Sequence, residues 1–467
     1  MQELVLNTDM LYHFVGIGGI GMSALAKILL SRGYRVSGTD SKYNPLMDDL
    51  AAAGATVSAP HNPNMITAGC TLIVSDAIKK NNPELLRAQE LQLPIFSRAE
   101  LMGAIVNAGH GLAVSGTHGK TTTSGMLSLI LLRAGSDPTC VLGGVLKDMG
   151  SNARAGGELT VVEACEAYNS FLSLRPFASI VTNIEVDHLD FHGTPQHLFD
   201  SFRSFLTSTT GFAVLNGDDA HCLTMLDNAP RTILFGTGEN ADYRITDIQL
   251  SAETSYTLVT PTGKKIKIAL QVPGIHNIYN SAAAAAMALE IGTPATAVVQ
   301  GLADFTGMGR RFDRLGNING IAIVDDYAHH PTEVKAALAA ARASFDGKII
   351  AVFQPHLFSR TRDQAADFAK SFNDADLLVL IPIYPAREEQ MPGITSAWLG
   401  ELVAAAGGPP VVVAESLEDG YQMLLNAAKG IEGKLPVLRS NDLVITIGAG
   451  DVDSIAHQLA GYEKETE

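Results

Sequence analysis

The sequence predicts an α/β protein of three domains. Three observations carry that reading. Apolar runs of strand length alternate with helical segments along most of the chain. The alternation gives way once to a period-two stretch. Two glycine-rich turns, each following a strand and opening a helix, lie about a hundred residues apart. The length of 467 residues fits three domains of roughly 150 residues each.

In the first hundred or so residues, "LYHFVGIG" reads as a strand and "GMSALAKILLSRG" as a helix ending at Gly33. "YRVSGTD" follows as a strand, "NPLMDDLAAAG" as a helix and "TLIVSDAI" as a strand. This βαβ alternation implies a parallel sheet. A second alternating unit opens with "GLAVSG" and continues through "LTVVEACEA", "ASIVTNIEVD" and "GFAVLNGDD". Between about 240 and 272 the residues alternate, which predicts antiparallel strands turning at "PTGK". After "GRRFDRLG" a third unit carries strands "IAIVDDY", "KIIAVFQP", "ADLLVLIPIY", "PPVVVAES" and "DLVITIGAG", with helices between them. The expected domains are therefore 1–106, 107–312 and 313–467.

Apolar residues make up 46% of the chain and charged residues 18%, enough to bury large cores. The formal net charge of −16 excludes a general binder of nucleic acid or of an anionic membrane surface. An anionic substrate must then be met by locally placed basic residues. No apolar run approaches the ~18 residues of a membrane span. The N-terminus lacks a basic region followed by an apolar run, so a cytoplasmic protein is expected. The four cysteines, Cys70, Cys140, Cys165 and Cys222, have no spacing that suggests zinc or a disulfide framework.

The stretch "GLAVSGTHGKTTTSGM" reads as strand, then Gly116-Thr117-His118-Gly119-Lys120-Thr121-Thr122, then helix. Glycines let successive backbone N–H groups approach phosphate oxygens, and the helix offers its positive N-terminus. Lys120 is placed to neutralise the β- and γ-phosphates, and the Thr121 hydroxyl to bind Mg²⁺. The usual phosphate-loop pattern needs glycine six residues before the lysine. Here that position is Val114, inside the strand, so the loop is a shorter G-T-x-G-K-T. These features make the central domain a P-loop ATPase α/β domain with some antiparallel strands.

Gly16, Gly18 and Gly21 form G-x-G-x-x-G directly after a strand, and Asp40 ends the next strand where a Rossmann unit places its ribose-binding acid. The N-terminal and C-terminal domains are accordingly expected to be Rossmann-like. The turn alone suggests NAD and an oxidoreductase, yet any nucleotide diphosphate, including a UDP-sugar, satisfies the same geometry. "VVEACEAYNSF" puts Glu163 and Glu166 at a strand end, and "TNIEVDHLDFHG" supplies Asn183, Glu185, Asp187, His188 and Asp190. Mg²⁺ prefers such hard oxygen ligands. His188 reads either as a ligand of a second site or as a structural residue.

Taken in order, "GTHGKTTT", "EACEAYNSF", "TNIEVDHLD", "PGIHNIYNSAAA", "GMGRRFD", "DDYAHHPTEV" and "FQPHLFSRTRD" resemble the Mur ligases of peptidoglycan synthesis, and within them the branch that adds L-alanine. The resemblance runs from 13 to about 455. It implies that the first domain holds the UDP-sugar, the central domain ATP, and the third the amino acid, closing over both; because water would hydrolyse an acyl phosphate, a hinge near 305–316 is expected. It implies an ATP-dependent ligase. ATP phosphorylates the lactyl carboxylate of UDP-N-acetylmuramate, and the amine of L-alanine attacks the acyl phosphate to leave an amide. By the same resemblance Lys120 and Thr121 hold the γ-phosphate and Mg²⁺, and Glu163 and His188 are metal ligands. His276, Asn277 and Asn280 match the adenine side. Arg311 matches the γ-phosphate arginine and Asp325 the ribose contact. Tyr327, His329 and Arg360 lie near the amino acid and reacting carboxylate, and Gly16, Gly18, Gly19, Gly21 and Asp40 hold the UDP group. A monomer or weak homodimer acting on small molecules is expected, as is a place in cell-wall precursor synthesis.

Two departures from the family pattern stand out. Relatives that carry a carbamylated lysine have it where this chain has Phe202 and Arg203, so no carbamate is expected. Leu357 replaces an arginine found in some members, leaving Arg360 and Arg362 as the contacts for carboxylate or phosphate. Three rival readings remain at this stage: an NAD-dependent oxidoreductase, a P-loop switch, and a recycling ligase that joins a whole tripeptide to the same sugar.

Overall fold

The computed structural model describes residues 4–75, 77–187, 189–250, 254–386 and 388–466. Three sheets organise the described residues. The first comprises β1 (Leu11–Val15), β2 (Arg35–Thr39), β3 (Thr56–Ser58), β4 (Cys70–Val74) and β5 (Ile95–Ser97), in the order β3-β2-β1-β4-β5. Its pairings are parallel, with Leu11 opposite both Arg35 and Cys70. The order reverses at β1, so the crevice where a doubly wound sheet takes its ligand opens at the end of that strand. There the chain enters α1 (Ile20–Ser31), whose buried face runs through Met22, Leu25, Ile28 and Leu29. The later helices α2 (Pro45–Ala52), α3 (Pro83–Glu90) and α4 (Arg98–Val106) each start at a capping side chain, respectively Asn44, Asn82 and Ser97. Ser97 and Glu100 complete a capping box.

The second sheet contains β6 (His110–Ser115), β7 (Thr139–Leu146), β8 (Ser151–Arg154), β9 (Leu159–Glu163), β10 (Ala178–Val181), β11 (Phe212–Asn216), β12 (Thr232–Gly236), β13 (Tyr243–Gln249), β14 (Thr254–Val259) and β15 (Lys265–Leu270). Their order is β15-β14-β13-β12-β11-β10-β6-β9-β7-β8. β6 lies between β9 and β10, parallel to both, so this sheet also has its switch point at the end of a strand that enters a glycine loop. The next helix, α5 (Lys120–Arg133), is buried from Thr121 to Leu131. This explains why its sequence shows no polar face. The period-two stretch forms β13 to β15; β15 alternates exposed and buried residues, and "PTGK" is the turn, closed by Gly263 N–H on Thr260 O at 2.8 Å.

The third sheet joins β16 (Asp313–Ile318), β17 (Ile321–Asp326), β18 (Ile349–Phe353), β19 (Leu377–Leu380), β20 (Val411–Val413) and β21 (Leu443–Ile447), ordered β16-β17-β21-β18-β19-β20. β16 is an antiparallel edge that the sequence reading did not include; the other pairings are parallel. Its signal was legible. Asn319-Gly320 separates Ile318 from its partner Ile321, and both turn residues have positive φ, 51° and 77°. That is the Asn-Gly signature of a two-residue hairpin. The chain divides into two compact units. The first spans 1–247, 256–269 and 279–305, and the second 248–255, 270–278 and 306–467.

Candidate active site

The loop after β6 is built by its glycines. Gly116 has φ +129°, and a Cβ there would lie 2.1 Å from Thr182 Oγ1. Gly119 has φ +81°, and its Cβ would lie 2.3 Å from Asn280 Oδ1. A side chain at either position is excluded twice, by backbone conformation and by space. The segment after β10 braces the loop. Asn183 Oδ1 accepts from His118 N–H at 2.9 Å, and Glu185 N–H donates to Thr117 Oγ1 at 2.8 Å. Glu185 Oε2 lies 2.8 Å from His118 Nε2. The Thr117 and His118 side chains are thus engaged in shaping the loop.

Lys120 is the first residue of α5, and its ammonium curls back into the loop. It donates to Gly116 O at 2.6 Å, to Thr117 O at 2.9 Å and to Glu166 Oε1 at 3.0 Å. Burial disfavours the ammonium, but the charges of Glu166, Cys165 and Glu163 outweigh it and hold the Lys120 pKa above the ordinary lysine value. A fixed cation therefore stands at the helix N-terminus, beside backbone N–H groups, which is the arrangement that attracts a polyphosphate. Thr121 and Thr122, the next residues of α5, are both buried.

Glu163 ends β9 directly opposite Val114 of β6. Its Oε2 accepts from Gly143 N–H of β7 at 3.0 Å. Thr121 and Glu163 supply a hydroxyl and a carboxylate, donors that suit Mg²⁺. His188, the third expected ligand, lies outside the described residues. Glu166, which the sequence located without a role, is the counter-ion of Lys120; an acid three positions beyond a strand end beside a phosphate loop is the signal for it.

The first glycine turn is tied to the end of β2. Thr39 O accepts from Gly16 N–H at 2.8 Å and from Ile17 N–H at 2.9 Å. Asp40 Oδ2 accepts from Gly18 N–H at 2.9 Å. Gly19 caps α1 with no side-chain hydrogen bond, leaving the helix N-terminus open to an anion. A cation missed in the sequence lies beside it. The Arg98 guanidinium is 3.4 Å from where a Cβ on Gly21 would sit. Its signal was faint: a lone arginine directly after a strand end in "FSRAE".

In the second unit, Tyr327 is flanked by two guanidinium groups, Arg310 at 4.9 Å and Arg311 at 5.1 Å from its ring centre. Arg310 is committed to the scaffold. It donates to Asp325 Oδ2 at 3.0 Å, to Gly450 O at 3.1 Å and to Gly448 O at 2.8 Å. Asp325 is buried and also accepts from Thr446 Oγ1 at 2.7 Å. Arg311 makes a looser contact, 3.9 Å to Glu333. His329 stands edge-on to Tyr327 at 5.5 Å and to His356 at 6.0 Å, and Arg360 Nη1 donates to His356 Nδ1 at 3.4 Å. Tyr327, His329 and Arg360 thus belong to one cluster. Arg362 does not: it is half exposed and bound to its neighbour Asp363 at 2.7 Å. Arg314 stacks on Phe345 at 5.3 Å.

His276, Asn277 and Asn280 share the first turns of the helix Ile275–Glu290. Burial, then the positive charge of Arg311, pushes the His276 pKa down to about 4. Asn277 Nδ2 donates to Pro273 O at 2.7 Å. Asp326, buried, has its pKa pushed up to about 6 by burial, although Phe312 N–H and Ala328 N–H both donate to it.

Three family models match the chain. They are the Mur ligase family catalytic domain over residues 11–110, the Mur ligase middle domain over 114–288, and the Mur ligase glutamate ligase domain over 310–450. The chain belongs to the Mur ligase family. Curated relatives named UDP-N-acetylmuramate–L-alanine ligase include one from Geobacter sp. (strain M21), 39% identical over 96% of both chains. Another, from Syntrophus aciditrophicus, is 40% identical over 97% of this chain and 94% of its own. Among solved structures, the UDP-N-acetylmuramate-alanine ligase of Thermotoga maritima superposes with a TM-score of 0.83 at 26% identity, covering 98% of this chain and all of that one. A murein peptide ligase from Psychrobacter arcticus shares the Mur ligase fold, with a TM-score of 0.70 at 23% identity over 96% of this chain and 98% of its own. Membership of the Mur ligase family sets aside the oxidoreductase and P-loop-switch readings, since it accounts for both glycine loops in one protein.

Proposed function

We infer that this chain is an ATP-dependent, amide-forming ligase that joins L-alanine to the lactyl carboxylate of UDP-N-acetylmuramate in cytoplasmic peptidoglycan precursor synthesis. End-to-end likeness at 38–40% identity to ligases of that name supports the reading. The structural observation that carries it is the Lys120 loop, a preformed polyphosphate cradle in a chain with a second anion site at the α1 N-terminus. We assign the sugar nucleotide to residues 1–106, ATP to 107–312 and the amino acid to 313–467.

In this scheme Gly116, Gly119 and the first N–H groups of α5 wrap the triphosphate. Lys120 leaves Glu166 for the β- and γ-phosphates as charge moves onto the transferring phosphoryl. Thr121 and Glu163, with His188, would hold Mg²⁺, which would supply positive charge against the phosphates. His276, Asn277 and Asn280 take the adenine side and Asp325 the ribose. Arg311 is the second cation for the γ-phosphate, while Arg310 fixes the backbone that carries it. Tyr327, His329 and Arg360 hold the amino acid beside the acyl phosphate. Gly16, Gly18, Gly19, Gly21, Asp40 and Arg98 hold the UDP group.

The test is phosphate release with UDP-N-acetylmuramate, ATP and a panel of L-alanine, glycine, L-serine and the cell-wall tripeptide. Release with L-alanine above the others supports the assignment. A methyl group's worth of pocket gives about 1–3 kcal/mol of discrimination over glycine. Release only with the tripeptide would assign the chain to the recycling reaction instead.

A further inference from the structure

Beneath the first glycine turn lies a carboxylate with no part in the scheme above. Glu84, in the first turn of α3, has no exposed surface. A buried carboxylate is costly unless hydrogen bonds and positive charge surround it. Here they do. Thr39 Oγ1 lies 2.7 Å from both carboxylate oxygens, and Asn62 N–H donates to Oε1 at 2.7 Å. Two titratable groups face it: His61, with Nδ1 at 3.4 Å, and the fully buried His13 of β1, with Nε2 at 3.7 Å. His13 Nδ1 is engaged with Ser37 Oγ at 2.8 Å, and His61 Nδ1 lies 2.8 Å from Thr39 Oγ1.

Thr39 is where this cluster meets the glycine turn. Its hydroxyl is held by Glu84, while its carbonyl accepts the Gly16 and Ile17 N–H groups. Its neighbour Asp40 takes the Gly18 N–H. Three consecutive N–H groups of the turn are thus anchored to two residues, one of them locked from below. This anchoring points the turn so that the uncapped N-terminus of α1 faces the crevice.

We propose that Glu84 is a positioning residue for the sugar nucleotide: through Thr39 it fixes the backbone of the glycine turn, and so sets the affinity for the diphosphate group without touching it. The proposal rests on the reading of that turn as the UDP-sugar cradle. Its test is steady-state kinetics of the full chain carrying Glu84→Gln, Thr39→Val, Thr39→Ser or Gly18→Ala, with KM taken separately for UDP-N-acetylmuramate, ATP and L-alanine. Glu84→Gln and Thr39→Val are expected to raise the UDP-N-acetylmuramate KM about tenfold, with kcat and the ATP KM within about twofold of the unsubstituted chain. Thr39→Ser, which keeps the hydroxyl, restores the KM. Gly18→Ala sets the reference, because its Cβ would press to 2.5 Å from Asn44 Nδ2 and distort the turn directly. If Gly18→Ala raises that KM but Thr39→Val and Glu84→Gln do not, or if they shift every constant together, the positioning role is wrong and the cradle stands. If Gly18→Ala also leaves the KM unchanged, the cradle itself is misassigned and both fall. Thr39→Val keeps the question open to disproof should Glu84→Gln fail to fold.

Discussion

Lys120 and Glu166 form a buried ion pair at the mouth of the nucleotide loop, 2.9 Å apart, with the two side chains only 12% and 1% exposed. The pair keeps the lysine charged and its ammonium held against the loop carbonyls. In the proposed scheme an arriving phosphate would exchange one anionic partner of Lys120 for another.

Lys120→Met should remove phosphate release and also destabilise the protein, because it strands the Glu166 charge. Breaking a buried pair from one side costs about 3–5 kcal/mol. Adding Glu166→Gln to Lys120→Met should recover much of the stability and none of the activity. Urea unfolding together with a phosphate-release assay separates the two effects. Full activity in Lys120→Met would remove the loop from the chemistry.

Gly116→Ala and Gly119→Ala should each lower stability by about 1–3 kcal/mol and weaken ATP binding. The new methyl collides with Thr182 or Asn280 and the backbone prefers another conformation. Calorimetric titration with a non-hydrolysable ATP analogue measures the loss. Unchanged affinity in both variants would contradict the cradle geometry.

Arg360 and Arg362 differ by two positions and should differ sharply in effect. Arg360→Ala should reduce kcat/KM for L-alanine by about a hundredfold or more, as expected when a positioned cation is lost. Arg362→Ala, exposed and paired along its own helix, should change it less than about threefold. Comparable losses in both would overturn the assignment of Arg360 to the amino-acid cluster.

His276 makes a signed contribution to stability against pH. Its folded pKa, near 4, lies below the ordinary histidine value of 6.5, so the neutral ring is favoured in the folded state. That stability is present above about pH 6.5 and is lost as pH falls towards 4, a change on the order of 2–3 kcal/mol. Asp326 runs the opposite way. With its folded pKa raised to about 6, its contribution is greatest at low pH and declines as pH rises from about 4 through 6. The two slopes oppose each other. His276→Gln should therefore make the chain comparatively more acid-tolerant than the parent, seen as a smaller drop in urea midpoint between pH 7 and pH 5. An identical drop would show that the ring is not held neutral.

The sequence by itself determined the three alternating sheets, the two glycine loops and the turn at 260–264, because these follow from local rules. Strand and helix periods are written in consecutive residues, and a phosphate loop needs glycine, lysine and hydroxyl at fixed spacing. The edge strand β16 was legible too, through Asn319-Gly320, although the reading passed over it. Only the tertiary structure decided how side chains distant in sequence share the work. Nothing local distinguishes Arg310, locked by Asp325 and the carbonyls of Gly448 and Gly450, from Arg311 beside it. Nothing local pairs Glu166 with Lys120, sets Arg98 beside Gly21, or hangs Thr39 from Glu84. Such partnerships depend on which strand ends the sheet order brings side by side, and parallel sheets pair strands separated by whole helices. The chain spells its elements, but its charges find their partners only after folding.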